Sequence, residues 1–420
     1  QPYRYRVQSG RIQAVPRAAM VFPGYLRPEA VKNLATFQYK AGSYTAFDVK
    51  VLGPFWEFVA GFVPKSVSPN MVTLTGLTAN VLATCVLLAH TFVLQGDPRT
   101  KFAVHCVAAA SLFFYQTMDG VDGKHARRTG QSTPLGAFFD HGCDGIAMFV
   151  NAIVMELIMV TDFSDGVSPY HYMQFVCFLL VLYSFFVSQW GHYHTGVLPT
   201  AGCSEAQLLS IVLIASCGHE AFRAFLFENK PLCVVPVLLR GVFPRNVDAT
   251  QFVGTVICIS VMLKVIKDTV STTLARANSA GHNAAFASMA IGIVLCLLHG
   301  TAAVAIFATD RLLFLDNRFV ILMMLGLCMT DLSLRMNISG LVNQPFPLLH
   351  PTAAPLLAYA ALLAAAGRRG PSEAGGPNVL GVVGAQGLIS HRSCMMAIAV
   401  FEAVCLLLMF ADTIQQICQF

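Results

Sequence analysis

Residues 119–144 read DGVDGKHARRTGQSTPLGAFFDHGCD and place four aspartates, Asp119, Asp122, Asp140 and Asp144, in one short stretch. The first two are three residues apart and the last two four apart, so on helices each pair projects from one face toward a common point. Both pairs stand at the junctions of apolar segments, where an ionised carboxylate is costly. Carboxylates that converge repel one another unless a cation joins them. Mg2+ or Mn2+ resolves the repulsion, because hard divalent ions prefer oxygen ligands and keep positions for phosphate oxygens. Four aspartates suit two such ions, which at roughly 3.5 to 4 Å separation clamp a pyrophosphate and stabilise a leaving phosphate oxygen. The chemistry indicated is phosphoryl transfer.

The neighbours of the aspartates support that chemistry. His141, beside Asp140 and three residues from Asp144, is the candidate general base for a hydroxyl nucleophile; the alternative is that it only orients a carboxylate. Gly123 and Gly136 would let a nucleotide approach the backbone, although close helix packing in a membrane explains them equally well. Arg127 can pair with phosphate charge, and Lys124 and Arg128 either assist it or face lipid headgroups.

These residues need a rigid frame, and the composition says which kind. Of 420 residues 55% are hydrophobic and 12% charged, against roughly 25% charged in soluble domains. The expected fold is an all-α polytopic membrane protein of about ten transmembrane helices, with an N-terminal interfacial helical segment. Spans of about 17 to 25 apolar residues can be placed near 72–94, 102–118, 135–160, 171–190, 205–227, 249–272, 284–307, 319–341, 353–366 and 394–416. The domain division that follows is 1–71 cytosolic or interfacial, 72–227 catalytic, and 228–420 C-terminal membrane helices. Residues 28–64 alternate charge with groups such as Tyr39, Phe55 and Trp56, as helices lying in the interface do. Residues 1–24 lack the apolar core of a signal peptide, so insertion is expected to rely on the first membrane helix. Residues 367–383 read as an exposed Gly- and Pro-rich loop.

The net charge of +5 suits anionic headgroups and phosphorylated substrates, and no nucleic-acid-reading pattern appears. Thirteen cysteines never form Cys-x-x-Cys and read as buried small hydrophobes. Further charges inside spans, Lys264, Lys267 and Asp268, and Asp331 with Arg335, read first as pairs that neutralise one another. Trp190, Tyr183 and Tyr193 are a weaker candidate for an aromatic site that holds a quaternary ammonium.

The spacing Asp119-x2-Asp122-Gly123-x2-Ala126-Arg127-x8-Gly136-x3-Asp140-x3-Asp144 resembles in every position the signature of the CDP-alcohol phosphotransferase family. The words MDGVDGKHARRTGQSTPLG and FFDHGCD, with PFWEFVAGFVPKSVSPNMVTLTGL at 54–77, are similar to its eukaryotic choline/ethanolamine phosphotransferase branch. That resemblance implies transfer of phosphocholine or phosphoethanolamine from CDP-choline or CDP-ethanolamine to diacylglycerol, releasing CMP. It implies metal ligation by the four aspartates, substrate binding by Asn70, Gly123, Lys124, Ala126, Arg127, Gly136 and Ala137, and His141 as proton acceptor supported by Glu205. A homodimer in endoplasmic reticulum or Golgi membranes, with the catalytic site facing the cytosol, is implied in the same way. One departure bears on the headgroup: the branch usually has Gly-Glu-Leu-Phe-Asp where this chain has Gly136-Ala137-Phe138-Phe139-Asp140, and Ala137 cannot attract a cation electrostatically. The rival readings are a relative that uses another alcohol or acceptor, and a cation-coupled transporter, which would place its acids near the midplane of several helices.

Overall fold

Three helices begin where a short polar side chain precedes a proline, at Ser68-Pro69, Asp97-Pro98 and Thr133-Pro134. Ser68 Oγ accepts from the Met71 amide at 3.3 Å, Asp97 Oδ1 from Arg99 at 3.0 Å, and Thr133 Oγ1 from Gly136 at 3.0 Å. Each side chain satisfies a donor that the first turn leaves open, and the proline has no donor to lose. The computed structural model describes residues 28–36, 44–94, 97–159, 169–199, 202–227, 231–234, 246–283, 311–346, 351–367 and 390–419, with single positions between them.

The regular elements used below are α1 (Gly53–Phe62), α2 (Pro69–Phe92), α3 (Pro98–Thr129), α4 (Pro134–Met159), α5 (Pro169–Thr195), α6 (Cys203–Cys217) and α7 (Glu220–Phe227). A two-stranded antiparallel ribbon, β1 (Pro231–Val234) with β2 (Asn246–Asp248), leads into α8 (Ala249–Ala280). The chain continues with α9 (Arg311–Leu341), α10 (Ala354–Gly367) and α11 (His391–Gln419). Apart from that ribbon, the regular structure among the described residues is helical, the all-α membrane architecture expected.

About ten spans were expected. Among the described residues α2, α4, α5, α9 and α11 are long and apolar enough to cross a bilayer, and α6 with α7 adds a sixth if the pair, bent by 109°, is one broken span. Helices α3 and α8 carry charge as well: α3 has Asp119, Asp122 and the Lys124, Arg127 and Arg128 cluster after an uncharged stretch at 102–118, and α8 has Lys264, Lys267 and Asp268 after an uncharged stretch at 249–263. The stretch 353–366 forms the short apolar helix α10. The span placed at 284–307 and the loop beyond Gly367 lie outside the described residues, single positions apart.

Helix α9 is the most enclosed, with 89% of its apolar window buried, and it packs against α4, α5 and α11. Outward faces stay apolar: Ile259, Met262, Leu263, Ile266 and Val270 on α8 and Val400, Val404, Leu407 and Leu408 on α11 are exposed, as lipid contact requires. Polar side chains join helices inside. Asn80 of α2 donates to Asn151 Oδ1 of α4 at 3.0 Å and accepts from Ser111 of α3 at 3.4 Å, so one residue ties α2 to the two helices that carry the aspartates.

The C-terminal helix braces α4 directly behind its aspartates. Phe410 of α11 packs against Phe138 and Phe139, and a Cβ added at Gly142 would lie 2.3 Å from its ring. Gly142→Ala is therefore expected to overpack this contact, at about 1–3 kcal/mol. Thermal unfolding in detergent measures the loss, and Phe410→Leu in the same chain is expected to restore part of it, since contacting residues couple.

Candidate active site

Helices α3 and α4 are joined by a tight reversal, and the reversal sets the site. Gly130 ends α3 in the left-handed region (φ 68°), where a residue without Cβ is favoured, and the Gln131 amide bonds back to Ala126 O at 2.9 Å. Three residues later Thr133 caps α4. The last turns of α3 and the first of α4 therefore stand side by side, while α2 packs along both.

That arrangement gathers three of the four aspartates. Ligand oxygens of Asp119, Asp140 and Asp144 all lie within 4.8 Å of one another. Asp122 lines the same cavity; its Oδ2 accepts a hydrogen bond from Thr73 of α2, and the residue is buried. Asp119 Oδ1 is buried without a hydrogen-bond partner, and three half-buried carboxylates so close repel one another. A hard divalent cation satisfies both the orphaned oxygen and the repulsion, so the residues present fit such an ion.

His141 is buried, with Nδ1 3.8 Å from Asp144 Oδ2 and 4.0 Å from Asp140 Oδ2. The ring of His192, on α5, stands edge-on to it with centroids 5.8 Å apart. A cavity of about 1470 Å³ opens beside these groups. Besides the four aspartates and His141 it is lined by Asn70, Gly123, Lys124, Ala126, Arg127, Gly136 and Ala137, so one hollow collects residues chosen from α2, α3 and α4. Gly136 faces Asn70, whose Oδ1 would be 3.7 Å from an added Cβ, and a Cβ added at Gly123 would lie 3.4 Å from the Arg127 guanidinium.

Two further expectations concern Glu205 and the aromatic residues of α5. Glu205 stands in the first turn of α6 with Oε2 buried and unpartnered, and it is not among the cavity's lining residues. Trp190, Tyr183 and Tyr193 do not line the cavity either. Trp190 is buried against His194, and the Tyr193 hydroxyl accepts from the Phe346 amide at 3.2 Å, so these aromatics serve packing at this end of α5.

Lys124 is committed to a partner, donating to Glu57 of α1 at 2.9 Å. That hydrogen bond and the ammonium charge hold the Glu57 carboxyl below its ordinary range. Beside it Trp56 lies flat on Gly120, where an added Cβ would be 2.4 Å from the ring, and Trp56 lines the cavity. The interfacial helix α1 thus roofs the site.

Sequence reasoning missed several supporting residues. Tyr115 is buried and donates to Asp144 Oδ1 at 2.9 Å, which fixes the orientation of that carboxylate. It precedes Asp119 by one helical turn, a spacing that could have revealed it. Thr73 and His192 come from other helices and left no signal near the aspartates.

From the aspartates the cavity runs on between α4, α5, α6 and α8 past Met148, Met155, Phe178, Phe185, Leu213 and Val256, a mainly apolar chamber that also takes in Asn151, Glu156 and Lys264. One end suits a phosphate held by cations, and the other suits hydrocarbon.

Comparison with known proteins agrees with this geometry. Residues 66–227 match the CDP-alcohol phosphatidyltransferase family. An uncharacterized CDP-alcohol phosphatidyltransferase class-I family protein 3 of Dictyostelium discoideum is 34% identical over 224 residues, covering 52% of this chain and 53% of that protein. Cholinephosphotransferase 1 of Xenopus laevis is 31% identical over 221 residues, 51% of this chain and 52% of its own. Choline/ethanolaminephosphotransferase 1 of Arabidopsis thaliana is 33% identical over 216 residues, 50% of this chain and 52% of its own. The chain spans about half the length of the curated relatives it matches. The helices that carry the aspartates lie inside the matched segment, so the part of this membrane protein that is similar to the CDP-alcohol phosphatidyltransferase family is the part that builds the site.

Proposed function

We propose that this protein transfers phosphocholine or phosphoethanolamine from CDP-choline or CDP-ethanolamine to diacylglycerol and releases CMP. The observation that carries the reading is the convergence of Asp119, Asp140 and Asp144 on one wall of a cavity that continues as an apolar chamber. The relatives named for choline and ethanolamine phosphotransfer support the headgroup class.

Asp119, Asp140 and Asp144, with Asp122 beside them, would hold Mg2+ or Mn2+, two ions in this reading. Bound there, the ions would supply charge neutralisation for a pyrophosphate and for the CMP that departs. The protein's own groups do the rest. Asn70, Gly123, Ala126, Arg127, Gly136 and Ala137 surround the nucleotide end, Arg127 with its guanidinium toward phosphate charge. Lys124, tied to Glu57, holds α1 over the donor. The apolar chamber receives the acyl chains of diacylglycerol and keeps bulk water from competing as acceptor. His141 takes the proton from the lipid hydroxyl as it attacks phosphorus in line. Glu205, with an acceptor oxygen to spare at the start of α6, is the proposed support for that basicity. By resemblance the protein works as a homodimer in endoplasmic reticulum or Golgi membranes with this site toward the cytosol.

The test is CMP release by the purified chain with diacylglycerol and Mg2+, comparing CDP-choline with CDP-ethanolamine. Release with either donor, lost on chelation of the metal, is expected. No CMP from either donor sinks this reading and brings forward another alcohol; ion flux in liposomes without CMP would bring forward transport.

A further inference from the structure

The wall of the apolar chamber holds one cation that the proposed chemistry leaves unused. Lys264 of α8 lines the cavity, and its Nζ donates to Ser188 Oγ of α5 at 2.9 Å and to Asp268 Oδ2 at 2.6 Å. Ser188 also lines the cavity and is itself fixed, donating to Ser184 O at 3.0 Å. An ammonium carries three donors, and two are engaged among the described residues. A charge inside a membrane bundle is costly, and neutralising Asp268 alone gives no reason to hold the ammonium at the wall of a hollow.

Its depth says what it can meet. Ser188 stands four residues before His192 on α5, about 6 Å along the helix axis. His192 faces His141 with ring centroids 5.8 Å apart. The ammonium is thus offered roughly one helical turn deeper into the chamber than the proposed base. A diacylglycerol whose free hydroxyl lies at His141 reaches about that far before its nearer ester carbonyl. Around Lys264 the chamber is lined by Val181, Phe185 and Val261 together with the neutral polar groups of Ser184, Gln189 and Ser260, so an ester oxygen entering there finds Lys264 as the charged donor among the described residues.

We propose that Lys264, positioned by Ser188 and Asp268, binds an ester carbonyl of the lipid acceptor and so selects diacyl over dialkyl glycerols. This rests on the reading that diacylglycerol is the acceptor. An ether oxygen is a poor acceptor, so a dialkyl lipid leaves the ammonium's remaining donor unmade, and the KM for it should be about tenfold higher.

The experiment compares diester and diether glycerols of equal chain length as acceptors for the full chain in mixed micelles, with CMP release as readout. Wild type is expected to show a KM about tenfold lower for the diester. In Lys264→Met the diester KM rises to that of the diether, while the KM for the diether and for the CDP-alcohol stays where it was. Because that variant strands Asp268, Lys264→Met/Asp268→Leu is run beside it, with thermal unfolding to confirm the fold, and it should show the same loss of preference. Equal KM values for the two lipids in wild type overturn the proposal, as does an equal rise for both lipids in the variants. A rise confined to the CDP-alcohol overturns it too and assigns the cation to the donor. Wild type that releases no CMP with either lipid refutes the underlying reading instead, a result distinct from all of these.

Discussion

Asp140→Asn is expected to abolish CMP release, by well over 100-fold, while leaving the fold intact. Losing a group that only orients a metal ligand costs about 10- to 100-fold, so losing a ligand oxygen should cost more. Asn keeps the shape of the side chain but carries no charge. Three carboxylates whose oxygens lie within 4.8 Å destabilise the metal-free protein by mutual repulsion, and the substitution relieves part of that. The variant should therefore unfold at the same temperature as wild type in EDTA, or higher. Wild type should gain stability when Mg2+ is added, by about 2.7 kcal/mol at a hundred times the dissociation constant. Asp140→Asn should gain little. Equal stabilisation of both proteins by Mg2+ would show that the trio does not hold the ion.

His141→Ala is expected to lower kcat by about 10²- to 10⁴-fold, the range for loss of a general base, with the KM for CDP-alcohol unchanged. The rival role, orienting Asp140 and Asp144 from 3.8 to 4.0 Å away, makes a different prediction. An orienting residue acts through the ion, so its loss should weaken Mg2+-dependent stabilisation and be rescued by higher Mg2+. Single-turnover CMP release at saturating Mg2+ separates the two. A rate restored by metal would remove His141 from the role of base and leave Tyr115 and His141 as partners in holding Asp144.

The sequence made the site legible because its residues are neighbours along the chain. Asp119 through Asp144 lie on two helices joined by a short turn, so helical periodicity alone predicted that carboxylates would converge. It could not say which groups would orient them: Asp122 is held by Thr73, a residue of α2 distant in sequence, and nothing in the spacing of the aspartates shows that. Charges inside the helices are read from the sequence in the same local way, and only packing shows that Lys124 and Arg127 of α3 and Lys264 of α8 stand at the cavity wall.

What the sequence by itself determined is the chemistry and the class of fold: four acids at helical spacing, a histidine among them, and apolar stretches too long and too poor in charge for a soluble domain. What only the tertiary structure decided is everything that depends on contact between distant helices. Phe410 braces α4 at Gly142, Trp56 roofs Gly120, and Lys264, paired with Asp268 as their spacing suggested, stands at the wall of the chamber. Periodicity fixes which face of a helix a residue occupies, but what that face meets is set by packing, and packing is decided by side-chain shape across the whole bundle.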